Sequence, residues 1–348
     1  MDVLAAYIIR RLLLLPLILI GVTLIVFSMM QILGPDKLLS AYVDANKLDK
    51  ISIEEMEQLK DKYGLNDPLP IRYGKWLGNL VKGDLGWSIV GKEPVTQAII
   101  HRLPYTIELA LYALIPILGI GIWLGIKAAI HHNSWIDQLI RIFALVGWSL
   151  PDFGFGLVII LFFYVGVNWF PPQNLSNWAE TIVRSAEYHQ YTKFLTIDAI
   201  LNLRFDIFWD ALRHIIGPII TMSWLWWAYL LRITRSSMLE VLRKDYIRTA
   251  RAKGLAEKEV INKHAKKNAM IPVVTVAGNM VIGLFMGVII VESIFNRTGI
   301  GRFAARAAQQ LDYASIMGSL LFSSVILIVG NLIIDISYAL IDPRIRLE

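Results

Sequence analysis

The 348-residue chain contains no cysteine. That excludes disulfide scaffolds, thiolate zinc sites, iron–sulfur clusters and cysteine nucleophiles together. Charge is scarce too. Asp, Glu, Lys and Arg make up 18% of residues, against about 25% in ordinary soluble chains. Catalytic motifs are missing. Residues 86–93 (GWSIVGKE) approach a phosphate-binding loop, but Glu93 stands where a hydroxyl residue should hold magnesium. There is no H-E-x-x-H, and the adjacent His131 and His132 would point about 100° apart on a helix. No G-x-S-x-G elbow occurs. The sequence therefore predicts no enzyme, no metal site and no cofactor in this chain. Energy for any pumping must come from elsewhere.

Apolar residues are in excess: 56% of the chain is hydrophobic, and the mean hydropathy is +0.54. So apolar a chain must bury surface, which excludes intrinsic disorder. Six runs reach the roughly 20 residues that a membrane helix needs. They are 12–33, 109–130, 142–167, 211–231, 270–291 and 316–341. In hydrocarbon such runs must satisfy their own backbone, so they are expected to be helices. Pro16, Pro116, Pro151, Pro218 and Pro272 lie in or near them, as membrane helices allow. The first run is too long for a signal peptide, and no small-residue cleavage site follows it. Arg10-Arg11 is similar to a twin-arginine signal, but a leucine run follows, so an uncleaved helix is expected.

Lys and Arg in short loops set the orientation. With the N-terminus inside, inner and outer segments each hold 17 basic residues. Ten of the outer ones lie in residues 34–103, balanced there by ten acids. Segments longer than about 60 residues translocate largely regardless of charge. Without that segment the count is 17 inside against 7 outside. Six spans then place both termini in the cytoplasm. The expected layout is an N-terminal helix (1–33), an external loop region with short helices (34–103) and a five-helix core (104–348). The core carries an external insertion at about 171–210 and a cytoplasmic loop at about 232–270.

In the first external region, residues 52–63 (SIEEMEQLKDKY) read as a helix with Ser52 and Glu55 as a capping box and Gly64 as its stop. Trp76, Leu77, Leu80 and Val81 repeat at helical spacing, which predicts a second amphipathic helix. Asn174 and Asn296 begin glycosylation sequons, a pattern that arises often by chance.

The cytoplasmic loop reads as helix, glycine, helix. Leu242, Tyr246 and Ala250 fall on one face at i, i+4 spacing, with Arg243, Lys244, Arg248 and Arg251 mostly on others. Gly254 is placed to end that helix in a left-handed conformation. Glu257 and Glu259 then suit the first turn of a second helix, with His264, Lys266 and Lys267 in its last turns before Pro272. Between Arg232 and Lys267 there are eleven basic and four acidic residues, while the whole chain carries a net +6. The basic balance thus belongs to one loop. It fits a membrane-facing or partner-docking helix and leaves no call for nucleic acid.

Within the spans, Glu108, Asp152, Asn279, Glu292 and Asp335 need explaining, because buried polar groups in a membrane usually face a cavity or a partner. Asp152, Asn279 and Glu292 are the candidates for a translocation path. Gly121-x-x-x-Gly125 and Gly283-x-x-x-Gly287 are small-residue faces suited to close helix packing.

Several of these motifs together resemble one family. The stretch 245–255 (DYIRTARAKGL), followed by 268–272 (NAMIP), resembles the coupling loop of ABC importer permeases. The general importer loop begins Glu-Ala-Ala; here Arg248, Thr249 and Ala250 stand instead, as in the peptide branch. Residues 7–12 (YIIRRL), 63–65 (YGL), 83–88 (GDLGWS), 94–95 (PV) and 102–109 (RLPYTIEL) resemble the first permease subunit of the dipeptide/oligopeptide/nickel transporters. So do 299–302 (GIGR) and 342–346 (DPRIR). The poorest match is 173–203.

The resemblance implies an all-α integral membrane protein of the type I ABC importer fold, located in the cytoplasmic membrane. It implies a permease that forms half of a pathway with a homologous second permease. Two cytoplasmic ATPases would bind ATP and magnesium, and an extracytoplasmic binding protein would deliver the substrate. Peptides lead as that substrate, with oligosaccharides or nickel as alternatives; no residue is assigned to substrate contact. The coupling helix is expected at about 239–253 with Gly254 as its elbow. The coupling residues are Asp245, Tyr246, Arg248, Thr249, Ala250, Arg251, Ala252, Lys253, Gly254 and Leu255. The runner-up, a self-sufficient secondary transporter or channel, predicts mid-membrane charges and internal repeats. Neither is evident, and the basic loop would have no role in it.

Overall fold

The computed structural model describes residues 2–32, 34–39, 42–43 and 51–341. The motif at 342–346, with Arg344 and Arg346 of the orientation count, lies outside them. So do the side chains of Asp335 and of residues 282, 285–287, which include Gly287. The chain divides into two compact units. Unit 1 holds residues 1–104 and 298–348, and unit 2 holds 105–297. In chain order the principal elements are α1 (Asp2–Gln31), α2 (Ile53–Lys62), α3 (Leu69–Val81), β1 (Trp87–Ser88), β2 (Glu93–Pro94) and α4 (Val95–Ile130). There follow α5 (Trp135–Ser149), α6 (Asp152–Ile159), α7 (Asn177–Val183), α8 (Leu195–Leu201), α9 (Phe205–Leu242) and α10 (Asp245–Ala252). The chain ends in α11 (Lys266–Ile294), α12 (Ile300–Gln309) and α13 (Tyr313–Ile341).

Four described helical stretches are long and apolar enough to cross a membrane: Leu12–Gln31, Val95–Ile130, Phe205–Leu242 and Tyr313–Leu332. A fifth is reached if α5 and the run Asp152–Gly166 count as one bent span. The fifth apolar run of the sequence lies in α11, a helix of 29 residues. The third run departs from expectation. Instead of one helix over 142–167, the chain turns by 103° between Ser149 and Asp152. Leu150 is extended (φ −95°, ψ 121°). A residue before proline is pushed out of the helical region, and Pro151 brings no N–H to continue the ladder.

In unit 1, α2 has the anticipated capping box. Ser52 Oγ accepts from Glu55 N (3.2 Å), and Glu55 Oε2 accepts from Ser52 N (3.0 Å). Gly64 ends the helix at φ +67°, with Leu65 N donating to Lys60 O (2.8 Å). The second helix expected in residues 34–103 is α3; its Trp76 and Leu80 pack with Val26 of α1 and with Met317 and Leu321 of α13. The β1–β2 hairpin is tied to the start of α13 by a buried carboxylate. Asp312 Oδ2 accepts from Ser88 Oγ (3.0 Å), Val90 N (3.0 Å) and Ser315 Oγ (2.7 Å). Its Oδ1 caps α13 by accepting from Ser315 N (3.1 Å). An Asp312→Ala variant is expected to lower the local opening free energy of the hairpin by about 2 kcal/mol. Hydrogen exchange at Val90 and Ser315 reads this; unchanged protection would refute the tie.

Unit 2 is built around α9, which is more than half buried within the chain along its apolar window. Gly121 and Gly125 of α4 admit α9 closely: a Cβ on Gly125 would stand 2.6 Å from Thr234 Cβ and 2.8 Å from the Leu231 carbonyl. The first small-residue face is thus a helix contact. Gly125→Ala is expected to force α4 and α9 apart at a cost of about 1–3 kcal/mol. A thermal melt of the purified protein checks it, and an unchanged midpoint would contradict the contact. Of the second face, Gly283 meets the Trp226 ring.

Three prolines of unit 2, Pro116, Pro218 and Pro272, each leave carbonyls of the preceding turn short of a donor. A side chain from elsewhere in the unit supplies one. For Pro116, Ser223 Oγ donates to Ala113 O (3.4 Å). For Pro218, the Arg297 guanidinium donates to His214 O (3.2 Å). For Pro272, Ser237 Oγ donates to Ala269 O (2.8 Å). A buried ion pair joins α5 to α9: Arg235 grips Asp137 with Nε at 2.7 Å and a terminal nitrogen at 2.8 Å. Residues 171–210, expected as an insertion, fold as α7 and α8 against α9, around Leu175, Ala179, Leu195 and Ile207.

Candidate functional site

The loop between α9 and α11 carries all ten residues of the expected coupling site. α9 runs to Leu242, further than the sequence indicated, and the chain then breaks at Lys244, which is extended (φ −71°, ψ 151°). The helix in the expected coupling position therefore covers the eight residues Asp245–Ala252, not 239–253. The break lets Asp245 begin a new helix, where its charge suits the dipole.

The apolar face of α10 also differs from expectation. Ile247 (fully buried) and Ala250 face inward, while Tyr246 is 45% exposed. With the break at Lys244, the helical phase restarts and Leu242 no longer sets the register. Ile247 and Ala250 pack with Met238, Val260, Ala265 and Ala129, flanked by Leu242 and Leu255. Burying Ile247 alone contributes about 1.5–3 kcal/mol. Sequence reading missed Ile247 as the anchor, although the pair Ile247 and Ala250 at i, i+3 spacing was the available signal.

Gly254 ends α10 at φ +80°. Its N–H donates to Arg251 O (2.9 Å), and Leu255 N–H reaches back to Ala250 O (3.4 Å). This is the paired closure in which a left-handed residue follows the helix and an apolar residue covers it. Glu257 and Glu259 do stand in the first turn beyond the elbow. That second helical segment does not stop before Pro272, however. It passes through a π-helical stretch (Val260–Ala265) directly into α11, with Pro272 inside.

Arg251 spans the elbow and holds Glu257 bidentately, at 3.0 and 2.7 Å. The hydrogen bonds hold the Glu257 carboxyl below its usual range and raise Arg251. The pair's stabilisation is present above the ordinary glutamate range and fades as pH falls through the lowered value. Both groups are well exposed, so solvent keeps the contribution within about 1 kcal/mol. Asp245, Tyr246, Arg248, Thr249, Ala252 and Lys253 all present exposed surface. The result is a short basic helix, fastened on its underside and open on its outer side.

The three path candidates occupy different surroundings. Asp152 lies in the first turn of α6, half-buried, with Oδ1 lacking a hydrogen-bond partner among the described residues. Asn279 is exposed on α11. Glu292 is enclosed (1% exposed) and accepts from Thr106 Oγ1 at 2.6 Å. Glu108, also enclosed, accepts from both N and Oγ1 of Thr196 (2.9 and 2.6 Å). Glu292 and Glu108 thus serve the interior of unit 2. Asn279 faces away from it.

Comparison with known proteins shows what the chain is similar to. A family model described as "Binding-protein-dependent transport system inner membrane component" matches residues 120–347. Its N-terminal companion matches residues 4–110. The chain is 41% identical to the oligopeptide transport system permease protein AppB of Bacillus subtilis, over 98% of this chain and 99% of that one. It is 38% identical to the dipeptide transport system permease protein DppB of Alkalihalophilus pseudofirmus, over 98% and 99%. Identity to DppB of Escherichia coli K12 is 36%, over 98% of both chains.

Proposed function

We infer the function from one premise: the chain belongs to the family of binding-protein-dependent transport system inner membrane components. It is a permease of an ABC importer for peptides, and it contributes half of the translocation path. A homologous second permease contributes the other half. An extracytoplasmic binding protein delivers peptide. Two cytoplasmic ATPases bind ATP and magnesium, and this chain performs no catalysis of its own. The chain resides in the cytoplasmic membrane with six spans, both termini and the α9–α11 loop facing the cytoplasm.

One observation carries this reading: α10 is anchored by Ile247 yet exposes Tyr246, Arg248 and Lys253. A helix built this way can take a push from a docked partner and pass it to α9 and α11 as a rigid body. Alternating access needs two global states whose balance nucleotide shifts, and the elbow provides the contact. The outward-facing Asn279 and the half-buried Asp152 suit a path completed by the second permease. Peptide is favoured over oligosaccharide or nickel because relatives matched along nearly their whole length carry peptide names.

Reconstitution tests the reading. The chain, co-expressed with its second permease, ATPases and binding protein in liposomes, is expected to import di- and oligopeptides only with ATP. Peptide movement by the chain alone, driven by an ion gradient, would overturn it.

A further inference from the structure

Unit 1 holds an open cavity of about 530 Å³ for which the functional reading has no use. Its walls are α3, the ends of α1 and α2, and Tyr42. The lining charges are of one sign. Lys62, Arg72, Lys75 and Lys82 line it, and no Asp or Glu among the described residues does. Lys75 is engaged by Asp67 at 2.5 Å, and Lys62 lies 5.8 Å from the centre of the Tyr63 ring. Arg72 is different. It is half-buried, yet its guanidinium makes no hydrogen bond or ion pair with a described residue. Asp67 is an acidic neighbour, but Lys75 already holds that carboxylate. Burial without compensation pushes the Arg72 pKa down. A guanidinium drawn out of water and left bare is costly, and its planar fork is shaped for a carboxylate or a phosphate.

The remaining walls narrow the choice of anion. Tyr42 stands near Arg72 and stacks on Tyr63, with ring centres 4.9 Å apart. Trp76 follows Arg72 by one turn of α3 and packs on Phe27 at 5.6 Å. Flat aromatic walls with polar tips suit a ligand that is part apolar and part polar. Elsewhere in the lining, Gln31 Oε1 is enclosed and accepts no hydrogen bond from a described residue. It calls for an N–H. A lipid tail has no seat here: the aliphatic lining residues Met30, Leu38 and Leu65 are buried or half-buried, so they offer no bare stripe. An inorganic anion would meet Arg72 and leave the aromatic walls and Gln31 unmet. A short peptide brings a carboxylate, N–H donors and side chains together, and cavities of about 300–1,000 Å³ suit such ligands.

We propose that this cavity is a peptide site on the permease itself, with the C-terminal carboxylate held by Arg72 and the rest of the peptide lying against Tyr42, Tyr63 and Trp76. The proposal rests on the reading of the chain as a peptide permease with residues 34–103 outside the membrane. On that orientation the site faces the compartment from which peptide arrives. It shares no residue with the path candidates Asp152 and Asn279, which belong to unit 2. It gives the permease its own requirement for a free C-terminus, apart from any selection by the binding protein.

The test uses the assembled transporter without its binding protein and without ATP, so that the result is independent of transport. Equilibrium dialysis measures the binding of radiolabelled Ala-Ala-Phe and of its C-terminal amide. Wild type is expected to bind the acid about tenfold or more tightly than the amide, the worth of a charge-assisted hydrogen bond. Arg72→Gln is expected to lose that discrimination. Arg72→Lys keeps the charge but not the fork, so it should retain part of it. Equal binding of acid and amide by wild type, or undiminished discrimination in Arg72→Gln, would overturn the proposal. So would acetate that competes as well as unlabelled peptide, the mark of a bare anion site. Should Arg72→Gln fail to assemble, a tripeptide ending in a benzophenone side chain decides on the wild type. Crosslinks to Tyr42 or to residues 62–82 support the site; crosslinks confined to residues 105–297 or to lipid refute it. A transporter that discriminates acid from amide through Arg72 yet imports no peptide counts against the functional reading alone. One that imports peptide without this discrimination counts against this site alone.

Discussion

An Arg297→Met variant is expected to be lost before it is assembled. Arg297 is 1% exposed. Its guanidinium donates to the carbonyls of His214 (3.2 Å) and Gln173 (3.4 Å), and Glu108 and Glu292 are its acidic neighbours. Methionine would fill much of the space. It would also leave the carbonyl freed by Pro218 without this donor and remove the positive charge between two enclosed carboxylates. Deleting one partner of a buried charge set costs about 3–5 kcal/mol, a large part of the 5–15 kcal/mol, roughly, by which domains are stable. Arg297→Lys keeps the charge but not the fork, so it should fall between. Size-exclusion of detergent extracts measures the folded fraction. A methionine variant with wild-type yield and melting midpoint would show that Arg297 does not hold unit 2 together.

The second large effect concerns transport. Gly254→Val is expected to abolish ATP-driven uptake while leaving the permease folded. Gly254 sits at φ +80°, and among the described residues no atom outside the adjoining ones lies within 4 Å of where its Cβ would be. The substitution therefore meets no steric clash among the described residues, and its effect is on the backbone. A β-branched residue is a severe outlier there. The expected outcome is that the paired closure at Ala250 and Arg251 opens and α10 changes its angle to α11. ATPase activity should persist while peptide uptake falls tenfold or more. Asparagine tolerates the left-handed region, so Gly254→Asn should recover much of the uptake. Normal uptake by the valine variant would sink the elbow as a coupling element.

These two residues also show where the sequence could be read. Gly254 was legible because its signals are local: a basic helical stretch, a glycine and two acids fall within a few positions. The same is true of Ser52 and Glu55, whose capping box is written within four residues. Arg297 and Asp137 were not legible. Arg297 acts on a carbonyl 83 residues away, and Asp137 on a guanidinium 98 residues away. No periodicity links such pairs. Four of the six apolar runs fall on helices long and apolar enough to cross a membrane, and a fifth does if the bent pair counts as one span, but the bend at Leu150 and the break at Lys244 come from single backbone choices that hydropathy averages out. Tyr246 was misplaced for that reason: the break reset the helical phase, and Ile247 took the inward position.

The prolines of unit 2 impose an order on how the protein can be made. The α4 helix, with Pro116 inside it, receives its extra donor from Ser223, more than a hundred residues later. In turn α9, with Pro218 inside it, receives its donor from Arg297, beyond α11. A carbonyl left bare in lipid is costly. Each of these helices thus leaves the ribosome as an incomplete object and waits for a later one. The early spans have reason to stay beside the insertion machinery, or against a chaperoning helix, until the last donor is synthesised. On this view a stop codon placed just before Arg297 would not yield a slightly shorter permease but a chain held at the point of insertion.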